Sequence, residues 1–170
     1  MAKKQMIDKM ELKEWLLSLK DFTLPKLDDF PTLDLYMDQV ITYITSKLTP
    51  LLDKEDFLTP SMINNYVKGK VVNSPNAKKY NKVTIAQLFF INLMKQILSI
   101  AEIKDILDKE FIEHYNELVT FEESIINKNV SYLLNETNLD DKQKLYHLAL
   151  NLAIEAEVKK LIAHKILENL

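Results

Sequence analysis

The most informative segment of this chain is residues 57–101, FLTPSMINNYVKGKVVNSPNAKKYNKVTIAQLFFINLMKQILSIA. It contains six lysines and neither aspartate nor glutamate, although the whole chain of 170 residues carries a net charge of −3. The segments on both sides of it are acidic. A basic segment inside an acidic chain indicates a binding site for a polyanion. The alternative interpretation is a face of the protein that merely lacks acidic side chains.

A short helix is predicted near the start of this segment, over residues 60–68. Thr59 is a favourable N-cap, and Pro60 suits the first helical position because its missing N–H has no partner there in any case. Gly69 is expected to end the helix as a left-handed cap with a positive φ.

A two-stranded wing is expected after this helix. Val71-Val72 and Lys79-Tyr80 are short and β-capable, and Asn73-Ser74-Pro75-Asn76 between them is rich in turn-forming residues. The wing would carry Lys78 and Lys79 at its tip.

The overall composition favours a helical protein and excludes several kinds of site. One glycine and five prolines in the chain cannot supply the many positive-φ corners of a large sheet fold. Gly-rich phosphate-binding loops are excluded, since each fingerprint needs at least two glycines. All 22 basic residues are lysines, so bidentate arginine contacts are not available. The absence of cysteine excludes disulfides, zinc–thiolate sites and thiol catalysis.

Helical periodicity extends through most of the remaining chain. Asp34 is expected to cap the second helix, Ser99-x-x-Glu102 forms a capping box, and Asn138 or a neighbour is expected to cap the last helix. The predicted helices cover residues 6–20, 34–48 (or to 52), 82–98, 99–108, 110–135 and 140–168.

Three parts are expected along the chain. Residues 1–32 form an N-terminal helix and a proline-containing linker, residues 33–108 form the core, and residues 109–170 form a C-terminal helical hairpin. The apolar residues of the last helix cover more than one narrow stripe, which indicates packing on two sides. These apolar residues either form the interface of a homodimer or pack within a helical hairpin of a single chain.

The basic segment has the layout of a winged helix-turn-helix. A short helix fits the major groove of DNA, and a basic loop beside it meets phosphates. Asparagine pairs bidentately with adenine, so Asn64 and Asn65 are predicted base contacts. Ser61 is expected at the same outer face of the helix and is the third predicted base contact. For Asn64 and Asn65 two alternatives are left open. One is a contact to phosphate or sugar, and the other is a polar helix surface or a turn-capping role. The predicted phosphate contacts are Lys68, Lys70, Lys78, Lys79, Tyr80 and Lys82, although Tyr80 also suits a core anchor of the wing.

Several motifs resemble the DNA-binding head of the MerR-type transcription regulators over residues 58–108. Ile63-Asn64-Asn65-Tyr66 resembles the recognition helix of that family, Val71-Val72 the strand after it, and Lys79-Tyr80 its wing. Leu98-Ser99-Ile100 with Glu102-Ile103 and Ile106-Leu107 resembles the next helix. The blocks DFPTLDLYMDQV, MINNYVK and KKY are also similar to a bacterial family known only as a domain of unknown function, over roughly residues 25–110. The MerR-type resemblance implies a dimerisation segment at the C-terminus and, in some members, an effector site.

The chain departs from the MerR-type pattern in four respects. Asn64 stands where that family has an arginine in its recognition helix, and Gly69 falls one place earlier than the family's glycine. The segment LTPLLDKEDF makes the connection between the first helix and the recognition helix longer. The metal-sensing cysteines of the family are missing, so metal sensing is not carried over.

Nothing in the sequence indicates catalysis. His114, His147 and His164 lack the contexts of hydrolytic or di-iron metal sites, and no serine lies in a nucleophile elbow. We expect no enzyme activity, no cofactor and no metal. No apolar run approaches the roughly 20 residues of a membrane span, and the N-terminal sequence is too charged for a secretory signal. A cytoplasmic protein that does not enter the membrane is expected.

The sequence therefore predicts a mostly α protein, a MerR-like winged helix-turn-helix with a small two-stranded wing and N- and C-terminal helical extensions. The function predicted is sequence-specific binding of double-stranded DNA by a homodimer that regulates transcription, with an unidentified small-molecule effector left open. Two alternatives keep the winged-helix shape without DNA binding, a protein-interaction module and a small-molecule sensor. An apolar, aromatic patch on the helix at 34–52 would favour the interaction module, and an apolar pocket enclosed by the C-terminal helices would favour the sensor.

Overall fold

A computed structural model describes residues 9–108, 111–137, 139 and 141–170 of the chain. The chain is mostly helical, at 70%, with one small antiparallel sheet. The sheet consists of β1 (Leu35–Tyr36) and β2 (Lys79–Tyr80). The helices are α1 (Lys9–Lys20), α2 (Met37–Leu48), α3 (Pro60–Lys68), α4 (Lys82–Met94), α5 (Ile100–Leu107), α6 (Phe111–Glu136) and α7 (Lys142–Leu167).

The chain divides into two compact units. One is Leu24–Phe121, which contains both strands and helices α2 to α5. The other combines the chain up to Thr23 with Glu122–Leu170, so the division falls inside α6. No helix in the described part of the chain combines the length and apolar character needed to cross a membrane.

The core of the Leu24–Phe121 unit is built around α4. Eight of the thirteen residues of this helix are buried, as expected for a helix that is apolar around its whole circumference. Phe30 packs edge-on against Phe89 of α4 and against Tyr115, with ring centroids 5.6 and 5.7 Å away. The Tyr115 hydroxyl donates a hydrogen bond to the carbonyl of Pro25 at 3.1 Å. The buried side chains contributed by the other helices include Val40, Ile44, Leu48, Ile63, Tyr66, Ile103 and Leu107.

The predicted helix at 60–68 is confirmed as α3. The Thr59 hydroxyl accepts a hydrogen bond from the Met62 N–H at 3.3 Å, and Pro60 occupies the first turn. The helix ends in a Schellman motif, in which the Val71 N–H donates to the Tyr66 carbonyl at 2.8 Å and the Lys70 N–H donates to the Val67 carbonyl at 3.0 Å.

The predicted positive φ at Gly69 is wrong. Gly69 has φ −77°, and the left-handed residue is Lys70 with φ 55°. Gly69 is the last residue with helical dihedrals, so the reversal required by the Schellman motif falls one residue later. A β-carbon built on Gly69 would lie 3.2 Å from the Asn65 carbonyl oxygen, a close contact that glycine avoids.

The predicted strand at Val71-Val72 is also wrong. These two valines are buried in a bend directly after α3, with 7% and 5% of their surface exposed. The partner of β2 is β1, in the antiparallel register Leu35 opposite Tyr80 and Tyr36 opposite Lys79. The two valines are buried in the core where the Schellman motif turns the chain. Leu35–Tyr36 therefore pairs with β2 in the place where Val71-Val72 was predicted to pair.

The second helix begins later than predicted. Residues 34–36 precede α2, and its N-cap is Tyr36, not Asp34. The Tyr36 N–H donates to Oε1 of Gln39 at 2.9 Å, which satisfies one of the N–H groups left over at the helix start. Pairing with β2 draws Leu35 and Tyr36 into an extended conformation, so the helix begins after them.

The remaining helices follow the predicted pattern with shifted ends. α4 stops at Met94, and residues 95–98 form turns where helix was predicted to 98. The Ser99 capping box is confirmed, with the Ser99 N–H donating to Glu102 Oε2 at 2.8 Å. The Asp141 carboxylate caps α7 by accepting from the Lys144 N–H at 3.0 Å, whereas the predicted cap Asn138 lies outside the described residues. Residues 6–8 of the first predicted helix also lie outside them.

Helix α7 is unlike the other helices because none of its side chains is buried. Leu145, Leu148 and Leu167 are half-buried, whereas most of the other apolar residues of the helix are exposed.

Candidate nucleic-acid interface

The outward face of α3 is polar. Ser61, Asn64, Asn65 and Lys68 are exposed, whereas Ile63 and Tyr66 are buried. This separation follows from the helical period of 3.6 residues, since Ile63 and Tyr66 are three apart and share one face. The structure therefore places all three predicted base-contacting residues on the accessible side of the predicted recognition helix.

A tight turn precedes β2 and presents Lys78 to solvent. Asn76 and Lys79 exchange two backbone hydrogen bonds, of 2.9 and 2.8 Å. Ala77 and Lys78 between them have φ values of 46° and 67°, which is the pattern of a type I′ hairpin turn. Neither residue is glycine, so each carries about 1–2 kcal/mol of backbone strain.

One open pocket of about 520 Å³ joins the helix to the turn. α3 contributes Asn64 and Val67, and the turn contributes Pro75 and Lys78. The start of α2 and strand β2 complete the lining with Tyr36, Met37, Asp38 and Tyr80. Asn64 and Lys78, predicted to contact a base and a phosphate, thus face one concavity although they are 14 positions apart in the sequence.

The predicted phosphate-contacting lysines have different environments. Lys68, Lys70 and Lys78 are exposed. The ammonium group of Lys79 lies over the ring of Tyr36, 5.0 Å from its centre. Lys82 is half-buried, and its ammonium lies 3.4 Å from Asp28 Oδ1. An ion pair at the surface contributes little, about 0–1 kcal/mol, so a phosphate competes readily for Lys82.

The sixth lysine of the basic segment lies in a different environment. The ammonium of Lys95 is 3.8 Å from the Met62 sulfur. Burial lowers the pKa of this ammonium, and the carboxylate of Asp56 partly opposes that effect. Lys95 was not among the predicted contacts, and its partly buried ammonium beside the Met62 sulfur is less suited to a phosphate than the exposed lysines are.

Tyr80 is a core residue. Only 2% of its surface is exposed, and burial raises the pKa of its hydroxyl. It therefore matches the core anchor that the sequence also suggested, and we leave it out of the proposed phosphate contacts.

The sequence argument missed the pocket residues contributed by the start of α2, which are Tyr36, Met37 and Asp38. All three lie outside the acid-free segment, and the β1–β2 ladder brings them to it. The alternation of Leu33, Leu35 and Met37 with polar or aromatic residues was a weak strand signal that was available. Asp38 lies in the first turn of α2, where the helix dipole stabilises a carboxylate.

The comparison with known protein families matched one family model over residues 25–144, described as domain of unknown function (DUF1836). The comparisons with curated proteins and with solved structures found no match. The matched residues contain both strands, α2 to α5 and the pocket beside α3. Because the match covers well over half of the sequence, the chain belongs to the DUF1836 family of domains of unknown function.

Proposed function

We propose that this chain is a sequence-specific DNA-binding protein that regulates transcription, with α3 in the major groove and the Asn76–Lys79 turn on the flanking backbone. The observation that supports this most strongly is the shared concavity of Asn64 and Lys78. It brings a side chain that is able to read adenine next to a cation that is able to hold a phosphate. The acid-free stretch around them supplies the charge that DNA binding requires.

The proposal divides the exposed residues into two roles. Ser61, Asn64 and Asn65 contact base edges, since they lie along one side of a nine-residue helix that is short enough to enter the groove. Lys68, Lys70 and Lys78 contact phosphates and fix the orientation of the helix without reading sequence. Lys79 and Lys82 also contact phosphates in the complex if each gives up its present contact. Lys79 would leave the ring of Tyr36, and Lys82 would leave the carboxylate of Asp28.

Asp38 limits what the pocket itself accepts. Its carboxylate repels a phosphate placed inside the concavity, whereas Met37 and Val67 offer apolar contacts there. We therefore place phosphates at the rim, beside Lys78, and a base edge over the pocket. A carboxylate in that position is able to accept a hydrogen bond from the amino group of cytosine.

The exposed surface of α2 does not favour the protein-interaction alternative. Over the whole segment 34–52 the exposed positions other than Tyr36 are polar, namely Asp34, Asp38, Gln39, Thr42, Ser46, Lys47 and Thr49. Tyr36 is a single exposed aromatic residue, and the Lys79 ammonium lies over its ring. A docking surface for another protein would be expected to present large apolar or aromatic residues at such positions.

The direct test is a titration of the full chain with fluorescently labelled genomic DNA fragments at several salt concentrations. Three exposed lysines on phosphates give a slope of log affinity against log salt near −3 for each bound copy, and five give a slope near −5. Selection from random duplexes should then enrich one sequence. Absence of binding at ~50 mM salt, where even non-specific binding is strong, would overturn the proposal.

A further inference from the structure

The pocket beside α3 combines an apolar floor with two opposite charges. Its floor is made of buried and half-buried side chains, namely Met37, Val67, Pro75 and Tyr80. Among its described lining residues the charged ones are Asp38 and Lys78. No described residue forms an ion pair or a hydrogen bond with the Asp38 carboxylate or with the Lys78 ammonium. A mostly apolar concavity with a few convergent polar groups is the usual form of a small-molecule site.

Three separate segments of the chain form this pocket, and the fold holds them in place. The ladder pairs Leu35 with Tyr80 and Tyr36 with Lys79, which ties the start of α2 to the basic turn. Lys78 reaches the pocket from a backbone with φ 67°, which is costly for a residue other than glycine. Strain of this kind clusters at positions that hold ligands. The pocket is thus formed before a ligand arrives, which lowers the entropic cost of binding.

From the two unpartnered charges and the apolar floor we infer that the pocket binds a small zwitterion with an apolar body. The ammonium group of the zwitterion pairs with Asp38, its carboxylate pairs with Lys78, and its apolar body covers the floor. Hydrogen bonds between two charged groups are about twice as strong as those between neutral groups. The Asn64 amide also lines the pocket, and it is able to donate a further hydrogen bond to the carboxylate.

Two common kinds of molecule have this chemistry. An apolar amino acid carries both charges on one carbon, whereas an apolar dipeptide carries them on neighbouring residues with Cα atoms about 3.8 Å apart. Asp38 and Lys78 form no ion pair with each other, so a gap is left between them for a ligand to span. A nucleotide is a poorer match, because it brings net negative charge to a pocket that contains a carboxylate.

A zwitterion in this pocket also regulates the proposed DNA binding. Its carboxylate occupies Lys78 and its body lies beside Asn64, and both residues are assigned to DNA above. A bound zwitterion should therefore weaken DNA binding. This consequence rests on the proposed function, whereas the ligand site itself does not.

Calorimetric titration of the full chain in the absence of DNA tests the site. The probes are leucine and leucyl-leucine, each with an N-acetyl derivative that has no ammonium and an amide derivative that has no carboxylate. At least one zwitterion should bind with a dissociation constant below about 1 mM, and both of its derivatives should bind about 10-fold more weakly or worse. The tighter of the two zwitterions identifies the source. Dissociation constants above about 1 mM for both zwitterions, or derivatives that bind equally well, overturn the inference.

Two variants locate the charges. Asp38→Asn should weaken the tighter zwitterion about 10-fold and leave its N-acetyl derivative unchanged, because that derivative has no ammonium to pair. Lys78→Gln should have the same effect relative to the amide derivative. Asp34→Asn and Lys54→Gln are the matched controls, at exposed positions outside the pocket lining. Controls that weaken binding as much as the pocket variants contradict the site, and the comparison of derivatives on the wild-type chain holds even if a variant does not fold.

A titration of labelled DNA with and without saturating tighter zwitterion tests the regulation separately. The affinity for DNA should fall at least about 5-fold, the lower end of usual coupling between ligands. An unchanged affinity for DNA would overturn the regulation. A chain that binds the zwitterion and no DNA would overturn the proposed function and support the ligand site.

Discussion

Tyr36 and Lys79 are joined twice, once as opposite residues of the β1–β2 ladder and once through their side chains, with the Lys79 ammonium 5.0 Å from the ring centre of Tyr36. The side-chain contact holds one of the predicted phosphate ligands against the sheet. It also covers part of a tyrosine that is otherwise half exposed.

This contact should be measurable as a coupling energy. In a double-mutant cycle of Tyr36→Leu and Lys79→Met, followed by urea unfolding, we expect the two substitutions to be non-additive by about 0.5–1 kcal/mol, the usual strength of an exposed cation–π contact. Tyr36→Phe retains the ring and should behave like wild type. Strict additivity would contradict the contact.

The division of roles between α3 and the lysines predicts two kinds of DNA-binding defect. Asn64→Ala should reduce the preference for the selected sequence over random DNA about 10-fold, because a bidentate base contact is worth about 1–3 kcal/mol of discrimination. Lys68→Glu combined with Lys78→Glu should weaken binding to all sequences equally and flatten the salt dependence. Lys13→Glu with Lys20→Glu makes the same change of charge on α1 and serves as the control. Identical effects of the first two variants would contradict the division.

The strained turn before β2 predicts that glycine is stabilising at one position. Ala77→Gly removes the strain of a positive φ and should raise the free energy of unfolding by about 0.5–1 kcal/mol, after the greater freedom of glycine in the unfolded chain is subtracted. Ala101→Gly is the same chemical change in the regular helix α5 and should lower it by up to about 1 kcal/mol. Thermal or urea unfolding measures both. A destabilised Ala77→Gly variant would mean that this turn is not of type I′.

The side chain of Asn92 is a costly polar group in the core of the Leu24–Phe121 unit. It is fully buried in α4, and among the described residues neither of its amide atoms has a hydrogen-bond partner. Asn92→Leu should raise the free energy of unfolding by about 1–3 kcal/mol, since it removes the desolvation penalty and keeps a similar volume. Asn127→Leu on the exposed face of α6 should change it by no more than about 0.5 kcal/mol. Destabilisation by Asn92→Leu would show that the amide is satisfied in solution.

Glu122 predicts a pH dependence of stability. Burial raises the pKa of this carboxyl from 4.5 to about 7. The folded chain therefore holds the proton more tightly than the unfolded chain, and the resulting stabilisation is present below about pH 4.5 and is lost as pH rises to about 7. The loss should be on the order of 2–3 kcal/mol. The free energy of unfolding, measured at pH 5 and pH 7.5, should fall by this amount in wild type and not in Glu122→Gln. Glu113 is exposed, so Glu113→Gln is the control and should show the same fall as wild type.

Local patterns predicted α3 well because its boundaries depend on local chemistry. Thr59 and Pro60 set the start of the helix. Ile63 and Tyr66 are buried on one face, so the polar residues at 61, 64 and 65 lie on the exposed face. The strand partner was missed because it depends on a contact between distant segments. Nothing near Val71 indicates that Leu35 will take the place beside Tyr80, and a two-residue strand is too short to carry a clear alternation. The same ladder brings Asp38 and Tyr36 to the pocket.

The ladder between β1 and β2 also has a kinetic consequence. Its two residue pairs join segments 43 to 45 positions apart, and closing a loop of that length costs about 3 kcal/mol of chain entropy. The backbone contacts of two short strands are too weak to offset this loss of chain entropy on their own. We therefore expect the ladder to form only after α2 and α3, which lie inside the loop, have packed. The basic turn should then reach its position beside α3 as one of the last events of folding, and its amide protons should be among the first to exchange when the unit opens.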